Sequence, residues 1–247
     1  MPLTPPVEPG PTCSVVIPTY NERETLPHLI RQLMEIAGVR VLVVDDGSPD
    51  GTGEIAERLG ETFPGRVHVM HRAGRGGLGA AYIAGMQHAL TFQTHLIAQM
   101  DADLSHDVRY LPALIAAAAT ADLAIGSRYV PGGGVSNWSL DRRILSRFAN
   151  LYVRVVTGLR VRDATAGYRC WRRDTLLQLP LSELKSNGYS FQVEMLWETV
   201  RRGLRVVEVP IVFVERAQGR SKLNWQTILE SVWLPWRLRR GKAHRSA

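Results

Sequence analysis

Short apolar runs alternate with stretches of helical spacing through the first half of the chain, and few folds accommodate that alternation. Ser14 to Ile17 is a largely β-branched run closed by Pro18, after which Leu26, Leu29, Ile30 and Leu33 recur at helical intervals within Glu24 to Ile36. Val39 to Val44 reads as a buried strand, Asp50 to Leu59 as a helix, Val67 to Met70 as a strand and Gly79 to Leu90 as a helix. His95 to Met100 and Leu123 to Gly126 add strands on either side of a helical Arg109 to Ala119. Strands separated by helices pair in parallel and are covered on both faces, so the expected fold is α/β, with ligands gathered at the carboxyl ends of the strands.

Polar clusters stand where that fold needs them. The first, second and fourth strands run straight into Pro18-Thr-Tyr-Asn-Glu22, Asp45-Asp-Gly-Ser-Pro-Asp50 and Asp101-Ala-Asp103. Three clusters should therefore meet on one rim.

Bulk properties narrow the partners. A chain of 247 residues, 45% of them hydrophobic, has enough apolar material for one large core. Its formal charge of +7 favours anionic partners, whether nucleic acid, phosphorylated small molecules or an acidic membrane surface. Cys13 and Cys170 lie far apart and form neither a disulfide framework nor a zinc spacing. Residues 1–12 are proline-rich, with no basic and apolar leader pattern, and are expected to form a disordered arm. The longest apolar candidate, Leu111 to Ile125, is interrupted by Thr120 and Asp122, so no membrane span is expected.

The acidic clusters suggest chemistry. Asp101 and Asp103 at a strand end should point the same way, because strand side chains repeat every two residues. One or two carboxylates suffice to hold a divalent ion, and such an ion neutralises a diphosphate. A lone Asp-x-Asp is more often a solvated turn; its place after an apolar strand, opposite two other clusters, favours a ligand site. Asp45 and Asp46 follow a buried strand and need donors, which a nucleobase edge or a ribose hydroxyl supplies. Of the two, Asp46 is the functional candidate, while Asp50 or Ser48 is expected to cap the following helix. Gly74-Arg-Gly-Gly-Leu-Gly79 matches a dinucleotide fingerprint, but that fingerprint belongs in the first strand-turn-helix unit. Here the glycines are read as a flexible or closely packed approach to a helix.

Taken together, Pro18-Thr-Tyr-Asn-Glu22, Val44-Asp-Asp-Gly-Ser-Pro-Asp-Gly-Thr52, Asp101-Ala-Asp-Leu-Ser-His106 and Gly126-Ser-Arg-Tyr129 resemble the family-2 glycosyltransferases, and among them the dolichol- and polyprenol-phosphate mannose synthases. The likeness extends through Asp163 to Tyr168, Gly188 to Met195, and Val209 to Arg216 and on to Leu223. It implies a GT-A, Rossmann-like, mixed but mostly parallel sheet flanked by helices, within a transferase domain at 13–224. By that resemblance, Pro18, Tyr20, Glu22, Val44 and Asp46 hold the guanosine of GDP-mannose, and Asp101, Ala102 and Asp103 bind its diphosphate and a Mg2+ or Mn2+ ion. Asp103 is the first choice as direct metal ligand. Ser105 stands where some relatives carry a Gln that assists the metal. Arg128, counted with Asp101 and Asp103 as catalytic, also belongs with Arg142 and Ser146 at the acceptor phosphate, while Arg216 and Lys222 sit on a loop closing over the donor. The implied reaction inverts the sugar as it moves to a polyprenyl phosphate lipid. A phosphate monoester is mostly dianionic near neutral pH, so the nucleophile needs no strong protein base.

A lipid acceptor with no span requires a surface encounter. In 225–247, Trp225, Ile228, Leu229, Val232, Trp233 and Trp236 precede Arg237, Arg239, Arg240 and Lys242, a pattern suited to a membrane interface. The same pattern fits a helix packed on the core with a basic tail, or docking to a separate integral membrane protein; Glu230 and Pro235 interrupt it. The expectation is a peripheral enzyme at the cytoplasmic face of a membrane. Two alternatives are a UDP-sugar hexosyltransferase acting on the same lipid, and a non-catalytic binder of anionic lipid or nucleic acid. No nucleic-acid-binding signature is present, and no nucleic-acid partner is expected.

Overall fold

The structure, a computed structural model, describes residues 12–74, 76–184, 186, 188–215 and 225–241, except for the side chains at 189, 225–231 and 241. Residues 1–11 of the expected arm at 1–12, the loop cations Arg216 and Lys222, and Lys242 lie outside the described residues.

The alternation read from the sequence is present, with element ends shifted by a few residues. In order come β1 (Cys13–Thr19), α1 (Leu26–Met34), β2 (Val39–Asp45), α2 (Thr52–Thr62), β3 (Val67–His71), α3 (Leu78–Ala89), β4 (Leu96–Gln99), α4 (Leu111–Thr120) and β5 (Leu123–Ser127). α1 begins where Pro27 fits the first turn, and its Leu26, Leu29, Ile30 and Leu33 are all 0% exposed. The second half adds β6 (Gly134–Ser136), α5 (Leu140–Thr157), β7 (Arg169–Arg172), α6 (Arg173–Gln178), α7 (Gly188–Arg201), β8 (Val206–Pro210), β9 (Val212–Val214) and α8 (Trp225–Gly241).

Among the described residues the main sheet has the order β3-β2-β1-β4-β7-β5-β8, and β6 and β9 form a small parallel pair. All pairings in the main sheet are parallel except those of β7 with β4 and β5. Strand-helix alternation alone predicts an entirely parallel sheet, and β7 corrects it. The chain leaves β5 at its carboxyl end, travels through residues 128–168 and re-enters from that same end, so the returning strand must run backwards. The result is the mixed, mostly parallel sheet flanked by helices that the family resemblance implied.

Strand alternation divides the core into two layers. Val15, Ile17, Val41 and Val43 face the layer containing the α1 and α4 side chains Leu29, Ile30, Leu111 and Leu114. Val16, Leu42 and Val44 face the other, with Tyr82 and Met86 of α3, Phe191 of α7 and Leu234 and Leu238 of α8. α3 lies so close to the sheet that a Cβ on Gly85 would stand 2.4 Å from Val16 and 2.8 Å from Val44. Gly79 is equally confined, a Cβ there standing 2.6 Å from the Ser186 carbonyl. The last glycine of the Gly-rich stretch is thus a close-packing residue.

α8 takes one of the arrangements expected of the C-terminal segment, a helix packed on the core. Leu234 and Leu238 are buried, and Tyr152 of α5 donates to the Val232 carbonyl at 2.7 Å. Trp233 and Trp236, at 64% and 42% exposure, face outward. No helix among the described residues is long and apolar enough to cross a membrane.

Candidate active site

β1, β2 and β3 step toward one edge of the sheet, and the chain then returns to place β4 on the other side of β1. The crevice between the carboxyl ends of β1 and β4 is the topological switch point, where open α/β sheets bind ligands. Thr19 ends one strand there with Tyr20 just beyond it, and Met100 and Asp101 follow the other.

The first two polar clusters are laced together. Backbone N–H groups of Asn21, Glu22 and Arg23 donate to Ser48 Oγ at 3.1 Å, Thr52 Oγ1 at 3.0 Å and Asp50 Oδ2 at 3.3 Å. Asp45 accepts from Thr19 Oγ1 at 3.1 Å and from the Ser48 hydroxyl and N–H at 2.5 and 3.1 Å. Its charge is therefore satisfied within the chain, and the sequence argument that it requires a ligand does not hold. Ser48 is engaged there rather than at the helix. The N-cap of α2 is Gly51 in the left-handed region, and Asp50 accepts the Thr52 N–H at 3.0 Å beside it.

Asp46 carries a partner that the sequence reading missed. Its carboxylate, 6% exposed, forms an ion pair with Arg72, the residue immediately after β3. A cation at a strand end opposite two acidic clusters was the available signal. Pro18 and Val44 face each other in the β1–β2 register, and Val44 is 0% exposed with its side chain toward α3. Tyr20 and Glu22 are half-buried on the same rim, where Glu22 Oε2 accepts from Thr25 at 3.1 Å.

Asp101 and Asp103 lie in bends beyond β4, so strand periodicity does not orient them as expected. Their placement comes from local donors. Tyr82 of α3 donates to Asp101 Oδ1 at 2.7 Å, and the Ser105 hydroxyl and N–H donate to Asp103 Oδ1 at 2.6 and 3.0 Å. Ser105 thus orients Asp103. Between them Leu104 adopts φ 62°, an uncommon conformation for a bulky residue that is maintained by this tight turn. Burial raises the Tyr82 pKa well above 10, and the nearby Asp101 and Asp103 charges push it further. The phenol therefore remains a donor across the physiological range. His106, 3% exposed, accepts the Asp101 N–H at Nδ1 at 3.1 Å and stacks on Tyr168, with ring centroids 4.9 Å apart.

Two carboxylates on one turn, each held through Oδ1 by protein donors, suit a hard divalent cation. Among the described residues no cluster of three or more His, Cys, Asp or Glu could hold a metal. An ion here would draw its other ligands from substrate oxygens and water, the usual coordination of Mg2+ at phosphates.

A second cluster gathers around Trp138. The Arg128 and Arg142 guanidinium carbons lie 5.4 and 4.3 Å from its ring centroid, and Phe213 packs edge-on at 5.6 Å. Tyr129 donates to Ser146 at 2.6 Å, and Arg142 is ion-paired with Glu215. Arg128, Arg142 and Ser146 are thus brought together, but both guanidinium groups have internal partners. Arg128 is 8% exposed and donates its N–H, Nε and Nη2 to Asp163 at 2.9, 2.8 and 2.7 Å. Asp163 is 0% exposed. His106 connects the two clusters, since its ring also meets Phe213 edge-on at 5.6 Å.

Beneath both lies Arg169, fully buried at the start of β7. It donates to the carbonyls of Ala164, Ala166 and Gln192, each at 2.8 Å. Burial pushes its pKa down to about 9, still above neutrality, so a fixed positive charge pins the 164–166 segment that carries Thr165 against Arg128.

Comparison with known proteins gives this geometry a setting. The family described as Glycosyl transferase family 2 matches residues 14–179. A polyprenol monophosphomannose synthase of Mycolicibacterium smegmatis is 48% identical over 229 residues, spanning 92% of this chain and 86% of the relative. An undecaprenyl-phosphate mannosyltransferase of Micrococcus luteus is 48% identical over 218 residues, spanning 88% and 89%. Among solved structures, glucosyl-3-phosphoglycerate synthase from Mycobacterium tuberculosis, with Mn2+, uridine diphosphate and glucosyl-3-phosphoglycerate, superposes with a TM-score of 0.66 at 21% identity, over 94% of this chain and 81% of that one. The same enzyme with Mg2+ and uridine diphosphate gives 0.64 at 19% identity, over 91% and 79%. At these identities the structural likeness is one of fold.

Proposed function

Since the chain belongs to glycosyltransferase family 2, we propose that it transfers mannose, with inversion, from GDP-mannose to a polyprenyl phosphate at the cytoplasmic face of a membrane. The observation that carries this reading is the identity of 48% to two named mannosyltransferases, sustained over 92% and 88% of the chain, joined to an acidic turn beside an arginine-aromatic cluster.

In this reading residues 13–224 perform the transfer and 225–247 meet the membrane or an integral membrane partner. Pro18, Tyr20, Glu22, Val44 and Asp46 receive the guanosine, and Asp101, Ala102, Asp103 and Arg128 receive the diphosphate, with Arg216 and Lys222 closing over it. A divalent ion, Mg2+ or Mn2+, held by Asp103 with Asp101, supplies charge neutralisation for the departing nucleoside diphosphate. Tyr82 and Ser105 fix the two carboxylates in advance, so little reorganisation accompanies charge development. Arg128, Arg142 and Ser146 orient the acceptor phosphate, whose dianion attacks in line without a protein base.

Incubation with a panel of labelled nucleotide-sugars, polyprenyl phosphate and either Mg2+ or Mn2+ tests the reading. Transfer from GDP-mannose alone is the expected outcome, and transfer from a uridine donor instead would overturn it. Asp103→Ala should lower turnover at least about a hundredfold while leaving the melting temperature near that of the unaltered chain. Undiminished turnover at saturating metal would remove Asp103 from its assigned role.

A further inference from the structure

A cleft of about 460 Å³ opens beside the Trp138 cluster, lined in part by Arg128, Tyr129, Arg147, Leu151, Arg154 and Arg162. Arg128 is committed to Asp163. The other three guanidinium groups have no carboxylate within ion-pair distance among the described residues. Glu208, the nearby acid, accepts instead from the backbone N–H groups of Arg162 and Asp163 at 2.8 and 3.0 Å. The Nε of Arg154 is buried without an acceptor. Uncompensated guanidinium groups and a buried orphan donor lining one cleft select an anion, and their planar forks suit phosphate oxygens.

The surroundings indicate what carries that anion. On α5, Leu140, Ile144, Phe148, Leu151 and Val155 recur every three or four residues and are 73%, 59%, 65%, 53% and 70% exposed. Arg147 and Arg154 border this stripe on its cleft side, and Leu151 belongs to both stripe and cleft. α8, joined to α5 through Tyr152 and Val232, contributes the outward Trp233 and Trp236. A continuous apolar stripe bordered by arginines and flanked by tryptophans matches a helix lying in the boundary between headgroups and acyl chains.

We propose that the cleft is a headgroup site for an anionic phospholipid, its phosphate received by Arg147, Arg154 and Arg162 and its acyl chains lying along the outer stripe of α5. The site rests on the membrane association of the reading above, but not on the identity of sugar or donor. It seats the enzyme through bulk lipid and leaves Arg128, Arg142 and Ser146 to the acceptor.

Flotation of the full-length protein with vesicles of phosphatidylcholine, alone or mixed with phosphatidylglycerol, tests the proposal without any sugar chemistry. The unaltered protein should prefer the phosphatidylglycerol vesicles. Arg147→Gln/Arg154→Gln should bind them about tenfold or more weakly and lose most of that preference, while Phe148→Ser/Leu151→Ser should weaken binding to both compositions. Transfer by the arginine variant to a short-chain, water-soluble polyprenyl phosphate, without vesicles, should stay within about twofold of the unaltered enzyme. Equal binding of variant and unaltered protein to phosphatidylglycerol vesicles, or no vesicle binding by either, overturns the proposal. Loss of short-chain transfer in step with vesicle binding overturns it too, because the cleft would then serve the acceptor phosphate.

Discussion

Replacing Asp163 with Asn tests whether the Arg128 pair is a structural requirement of the site. Asp163 accepts three hydrogen bonds from Arg128 and is fully buried, so the substitution keeps the volume and removes the charge. An amide has one acceptor oxygen, and its NH2 group would face guanidinium N–H donors. The amide oxygen can keep the two bonds now made to Oδ2, the bond from Nη2 to Oδ1 is lost, and a bond to a charged group is worth about 1.5 to 3 kcal/mol. The unpaired charge left on the buried Arg128 brings the total to about 3 to 5 kcal/mol. With an unfolding entropy of about 0.5 kcal/mol/K for a chain of this length, a loss of about 4 kcal/mol lowers Tm by about 8 °C. Calorimetry measures the shift, and denaturant titration of Arg128→Met, Asp163→Leu and Arg128→Met/Asp163→Leu measures the coupling of the pair. The double variant should be more stable than the sum of the single losses implies, since it leaves no unpaired buried charge. A change in Tm below about 1 °C in Asp163→Asn would refute the reasoning, because Arg128 would then be compensated elsewhere.

Two further outcomes follow from individual contacts. Tyr82→Phe removes the donor that holds Asp101 and should reduce kcat about tenfold. Because the phenol's pKa lies well above 10, both forms of the site keep the same charge as pH rises toward 9, and the activity ratio of variant to unaltered enzyme should be constant between about pH 6 and about pH 9; a ratio that changes in that range would show that Tyr82 titrates. Arg72→Met leaves Asp46 buried without its cation and should cost about 3 kcal/mol in denaturant titration while raising the donor KM; an unchanged KM would separate Asp46 from the nucleoside.

The sequence displayed its local order more clearly than its long-range pairings. β1, β2 and the helices after them were legible because Val15, Ile17, Val41 and Val43 on one face, and Leu26, Leu29, Ile30 and Leu33 on α1, follow the periods of strand and helix. The three polar clusters were found for the same reason, since each follows a readable strand. What remained hidden depends on contacts across the chain. Arg72 with Asp46, Arg128 with Asp163 and Tyr82 with Asp101 join residues 26, 35 and 19 positions apart, distances at which spacing carries no signal. Asp163 was visible as a letter in a resembling motif, but its burial and its partner were not. β7 escaped for a related reason: Arg169 to Arg172 is short and rich in arginine, and it becomes a central strand only because Arg169 finds three carbonyls within the fold. The Asp-x-Asp turn was correctly located but wrongly explained, since hydroxyl donors, not strand alternation, orient it.

β7 sits between β4 and β5, so the excursion across 128–168 leaves the sheet at β5 and returns to the adjoining position. Its two ends are anchored side by side, and its interior is tied to the rest of the fold at few places, chiefly the β6–β9 pair and the bonds of residues 162 and 163 to Glu208. On the proposed reading, the excursion carries the groups that receive the acceptor phosphate, Arg128, Arg142 and Ser146. On that reading a change of acceptor chemistry is written within the excursion, while the polar clusters after β1, β2 and β4 stay as they are.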